Sequence, residues 1–159
     1  MLKLRLVLAA LALLALDGGA LAHGYKAGSI SIEHPFANAT PPAATRGAAY
    51  MKLANQGAED DALVSATGAV ADKIEIHQTT VADGVVSMRP VPDGLTVPAG
   101  AHVDLTVGSY HLMLIGLKQP LVAGQRIPIV LSFRHAGDVA VELAVEAPKD
   151  QAAGAHAGH

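Results

Sequence analysis

"KIEIHQTTVADGVVSMRPV", residues 73–91, decides how the chain is read. At its centre Asp83-Gly84 is a dipeptide that favours the two-residue type I′ turn, in which both residues take positive φ. On either side, branched and apolar residues alternate with polar ones, as they do in strands with one buried face. Centred on that turn, Ala82 pairs with Val85, Val81 with Val86, Thr80 with Ser87 and Thr79 with Met88. His77, two residues before Thr79, then shares a face with Met88 and lies diagonal to it. Diagonal neighbours are about 7–8 Å apart at the backbone, a gap that long side chains close. The stretch therefore predicts a β-hairpin that presents an imidazole and a thioether together.

The same pattern runs outward from this hairpin. "GSISIEH", "AAYMKLAN", "DALVSATG", "HVDLTV", "YHLMLIGL", "RIPIVLSF" and "DVAVELAVEA" are short, alternating or branched, and separated by Gly, Pro, Asn and Asp. With the two hairpin arms they make about nine short strands, the signature of an all-β, antiparallel sandwich or barrel in a single domain. No stretch keeps a helical period, and no internal repeat occurs. "ANATPPAATRG", residues 37–47, reads as the connection between the first two strands and carries the sequon Asn38-Ala39-Thr40. Such a sequon matters only in a host that glycosylates.

Both ends differ from this middle. Lys3 and Arg5 precede an apolar run from Leu6 to Leu16, and Ala20-Leu21-Ala22 closes it. That order describes a secretory signal peptide over residues 1–22, too short for a membrane span, which takes about 20 apolar residues. The mature domain is expected over residues 23–147, beginning at His23 and without a membrane span. Residues 148–159 collapse to "PKDQAAGAHAGH", a composition that cannot anchor a core and reads as a disordered tail carrying His156 and His159.

Composition narrows the chemistry. A formal charge of −3 gives no sign of a nucleic-acid partner. With no Trp, two Phe and three Tyr, neither an aromatic cage nor a base-stacking platform is expected. The absence of cysteine removes disulfides and thiolate ligands alike. Soft-metal chemistry must then fall to methionine and histidine.

His111 and Met113, in "GSYHLMLIGLK" (residues 108–118), repeat the hairpin's pair on one strand, since a separation of two puts both on one face. Ten residues separate His77 from Met88, and twenty-two separate Met88 from His111. Two imidazoles and two thioethers form a neutral, soft donor set that suits Cu(I) above Zn(II), Mg(II) or Ca(II). A monovalent ion also leaves less charge to bury in such a shell. The other reading of a His-x-Met in an apolar strand is core packing around a hydrogen-bonded histidine. Met51 is read as core, His34 as the end of the first strand, and His102 and His135 as surface residues.

"EIHQTTVADGVVSMRPV", then "VPAG", then "GSYHLMLIGLKQPLVAGQRIPIVLSF" resemble the periplasmic copper chaperone family PCuAC. The likeness extends over nearly all of the chain after residue 22 and is most specific at "MRPV" and "YHLMLIGLKQPL". It departs at "HPFAN", residues 34–38, where the family commonly reads "HPWAR", at Gln78-Thr79-Thr80, where a further methionine is common, and in the interval before "HLM", which is a residue longer than the usual form. The resemblance implies a cupredoxin-like β-sandwich with His77, Met88, His111 and Met113 as Cu(I) ligands. It also implies a periplasmic carrier of copper toward the binuclear centre of cytochrome c oxidase, with oxidase subunit II or a Sco-type protein as partner.

A monomeric carrier without turnover chemistry is the expectation. The alternatives are a periplasmic copper storage or tolerance protein and a copper-dependent enzyme, which would need an open coordination position. Blue-copper electron transfer is excluded, because those sites require a cysteine. His23, whose amine and imidazole form a chelating pair once the signal is removed, together with His156 and His159, has two readings: an auxiliary, weaker Cu(II) site, or a frayed terminus and a solvated tail.

Overall fold

The structure, a computed structural model, describes residues 24–148. Residues 1–22, read above as a signal peptide, His23, and the residues beyond Pro148 with His156 and His159 lie outside the described residues. Eleven strands follow one another: β1 (Gly24–Ala27), β2 (Ile30–Asn38), β3 (Arg46–Asn55), β4 (Asp61–Thr67), β5 (Ala71–Ala82) and β6 (Val85–Pro90). Then come β7 (Leu95–Val97), β8 (His102–Leu105), β9 (Tyr110–Leu117), β10 (Arg126–Phe133) and β11 (Gly137–Glu146). No helix occurs among the described residues.

The strands close on themselves. β5 pairs with β9, β9 with β3, β3 with β2, β2 with β11, β11 with β10 and β10 with β4. β4 returns to β5 through Ala66 and Ile74, completing a ring. β6, β7 and β1 flank β5, β4 and β2, and β8 sits beside β3 and β9. The result is a barrel-like sandwich, as the all-β reading expects. Two strands go beyond the nine expected. β1 and β7 are four and three residues long, too short for alternation to mark them. Two pairings are parallel, β2 with β11 and β8 with β9.

Alternation fills the interior. Ile30, Leu53, Leu63, Leu112, Leu114 and Leu131 are fully buried, each contributing roughly 1.5–3 kcal/mol relative to exposure. Met51 belongs to this core, as expected, and His102 and His135 are exposed. His34 departs from expectation. β2 does not end there; it takes a bulge between Glu33 and Phe36, with His34 at φ +47°, and runs on to Asn38. A proline blocks a ladder bond only at its own nitrogen, so a bulge lets the strand continue past Pro35.

Candidate metal centre

The hairpin forms in the register its turn dictates. Asp83 and Gly84 both have positive φ, +53° and +75°, and Ala82–Val85, Val81–Val86, Thr80–Ser87 and Thr79–Met88 are the cross-strand pairs. Met88 is therefore on the same face as His77 and diagonal to it, on the outermost strand β6. Its side chain stands at 54% exposure, at the rim of the site.

On the other side of β5 lies β9. His77 is directly opposite His111, and Glu75 directly opposite Met113. Leu112 and Leu114 occupy the alternate positions and fill the core, so His111 and Met113 face outward from the barrel with His77. The two imidazole rings are 5.8 Å apart between centroids. Beyond His111, the buried Tyr50 of β3 closes the site at 6.4 Å between ring centroids, and Ala48 lies opposite Met113. The four residues expected as ligands are thus distributed over three adjacent strands of one face. His77, His111 and Met113 lie together, and Met88 sits one strand further out.

Each imidazole leaves one buried nitrogen without a hydrogen-bond partner. Three buried side-chain N or O atoms are in this state among the described residues, and His77 Nδ1 and His111 Nε2 are two of them. Native proteins rarely bury an unpaired polar atom, and an ion is one of the standard reasons when they do. His111 Nδ1 makes a long contact of 3.5 Å with the Ser109 carbonyl. Burial pushes the His111 imidazole below its ordinary pKa, the Ser109 carbonyl opposes that shift, and the neighbouring His77 adds to it. A neutral ring with a free lone pair is the form that ligates a metal.

Glu75 was not singled out by sequence reasoning, although its place two residues before His77 puts it on the same face. Its Oε2 lies 2.8 Å from His77 Nε2 and its Oε1 lies 2.6 Å from Lys73 Nζ. Hydrogen bonds from Lys73 and then His77 hold the Glu75 carboxyl below its usual range. Among the described residues, no group of three or more His, Cys, Asp or Glu side chains is placed to hold a metal ion. An ion held here by three or more side chains would need a methionine sulfur.

The model of the LpqE-like family, described as "Putative lipoprotein LpqE-like", matches residues 30–145. The chain belongs to that family. A relative named "Putative lipoprotein Lxx21020", from Leifsonia xyli subsp. xyli, is 34% identical to this LpqE-like chain over 99 residues, 62% of the chain. The match spans 60% of that relative's own length. Among solved structures, a copper-bound PCuAC domain from PmoF2 is similar at 28% identity and a TM-score of 0.69, covering 79% of this chain and 99% of that one. The Cu(I) form of DR1885 from Deinococcus radiodurans is similar at 31% identity and a TM-score of 0.59, covering 83% and 85%. The PCuAC resemblance read from the sequence is met by these structures, while the matching family model is LpqE-like.

Proposed function

We propose that the protein is an exported Cu(I) carrier in which His77, His111, Met113 and Met88 hold one cuprous ion. The observation that carries this reading is the pair of opposed imidazoles, each with a buried nitrogen that has no other partner, beside methionines on the same face. Neutral imidazole and thioether donors favour Cu(I), and the likeness to copper-bound PCuAC structures supports the same ion. The named relative is a lipoprotein by its description, which supports export; the basic and apolar start of the sequence supports the periplasm.

A carrier must hold its ion without trapping it. His77 and His111 are the sheltered donors, and Met88 is the exposed one on an outer strand. An incoming ligand displaces that thioether first, so transfer proceeds by exchange at one point while the imidazoles still hold the ion. This is binding chemistry without turnover. The acceptor we assign is the binuclear copper centre of cytochrome c oxidase, reached through subunit II or a Sco-type protein, on the strength of the sequence resemblance.

The test is a Cu(I) titration against a competing chelator with wild type, Met88→Leu and Met113→Leu. Each substitution is expected to weaken binding by about tenfold or more, equivalent to ~1.4 kcal/mol. Unchanged affinity in both variants would sink the ligand assignment. In the same assay, a loaded carrier that surrenders copper neither to the metal-free soluble domain of oxidase subunit II nor to a metal-free Sco-type protein would sink the acceptor assignment.

A further inference from the structure

Lys73, Glu75 and His77 stand at alternate positions of β5 and so share one face, spelled in the sequence as "KIEIH". They grade from water inward, with side chains 59%, 33% and 14% exposed. The two carboxylate oxygens of Glu75 divide their work. Oε1 accepts from the Lys73 ammonium at 2.6 Å, and Oε2 lies 2.8 Å from His77 Nε2. A carboxylate has only acceptors to offer, so the imidazole donates Nε2–H and its lone pair is left on Nδ1. Nδ1 is the buried His77 atom that has no partner.

We propose that Glu75 is the positioning residue of the copper site: held by Lys73, it fixes the His77 ring as the Nε2–H tautomer and so reserves Nδ1 for the metal. The inference rests on the copper-carrier reading given above and deepens it. Histidine ligands depend on such partners, because a neutral imidazole free to exchange tautomers offers the wrong nitrogen part of the time, and losing the partner typically lowers metal affinity by about 10–100-fold. An exposed ion pair with no further role would by contrast contribute little. Glu75 itself adds a hard oxygen, which suits Mg(II) or Ca(II) rather than Cu(I), and its Oε2 is already engaged by His77. Its action is therefore through the ring.

The experiment combines two readings on wild type, Glu75→Ala and Glu75→Gln. Ring nitrogen-15 shifts of His77 in the metal-free protein report the tautomer, and competition titration with Cu(I) reports affinity. Wild type is expected to show the Nε2–H tautomer. Glu75→Ala is expected to give a tautomer mixture and a 10–100-fold loss of Cu(I) affinity. Glu75→Gln, whose amide oxygen still accepts from Nε2–H, is expected to restore both to within a few fold. Wild-type tautomer and wild-type affinity in Glu75→Ala would overturn the inference. Wild type that takes up no Cu(I) overturns the carrier reading instead, and the two failures are separable because the tautomer is read without metal.

Discussion

Asp61 is buried at 6% exposure, and its carboxylate accepts three backbone N–H groups, from Ala62 at 2.7 Å, Ala136 at 2.8 Å and His135 at 2.9 Å. Burial alone would raise its pKa. The three amides and the neighbouring His135 outweigh that effect and hold the carboxyl below its ordinary value. A carboxyl depressed in the folded state supplies stability that is fully present above its unfolded pKa, about 3.9, and is lost as pH falls through the lower folded value. Asp61→Ala leaves those amides unpaired and is expected to cost roughly 3 kcal/mol near neutral pH, since each orphaned group costs about 1–3 kcal/mol. Urea unfolding checks this, and the gap to wild type should narrow as the solution is taken below pH 4. An unshifted midpoint at neutral pH would show that water satisfies the amides instead. Nothing in "EDDALV" marks Asp61 apart from Asp60, because two of the three amides it accepts from, those of His135 and Ala136, lie over seventy positions away. Glu75 was overlooked even though its partners, Lys73 and His77, are only two residues to either side, so the local pattern "KIEIH" was there to be read.

The elements were legible in proportion to how local their causes are. The β5–β6 hairpin was readable residue for residue, because Asp83 and Gly84 set the register by themselves. β9 was readable as a strand with two distinct faces. That β5 pairs directly with β9, setting His77 opposite His111, left no mark in the alternation of either segment; only their shared donor chemistry brought the two histidines together in the sequence. Parallel and long-range pairings are decided by the whole sheet. The turn before β7 shows a local cause that was missed. Val91-Pro92-Asp93-Gly94 is a β-turn in which the Gly94 amide donates to the Val91 carbonyl at 3.2 Å, with Pro and Gly at the second and fourth positions that such turns favour. Gly94 has φ +87°, and a Cβ there would lie 2.7 Å from the Leu63 backbone oxygen on β4. Gly94→Ala should therefore cost at least about 1–2 kcal/mol and lower the melting temperature by several degrees. A scanning calorimetry trace that superimposes on wild type would contradict that account of how β7 reaches β4.

At the scale of the molecule, the fold class was evident from nine alternating segments, and its closure was not. The ring depends on β2 and β11 lying parallel, with Phe36 opposite Ala144, Ala37 opposite Val145 and Asn38 opposite Glu146. This join ties together segments more than a hundred residues apart, so no early part of the chain can finish the barrel while the remainder is still to come. Contacts of such sequence separation must meet the entropy of a long loop before they contribute any stability, which places folding in the slow, millisecond-to-second range of β-rich domains. A chain shortened before Ala144 is expected to lose cooperative unfolding altogether, and a sharp melt from it would refute that dependence. The candidate metal site, on strands β5, β6 and β9 at one side of the ring, is thus expected to reach its final geometry only after the last strand has docked. On the carrier reading proposed above, copper loading is accordingly expected to follow folding, since an incompletely made chain would offer the ion no assembled site.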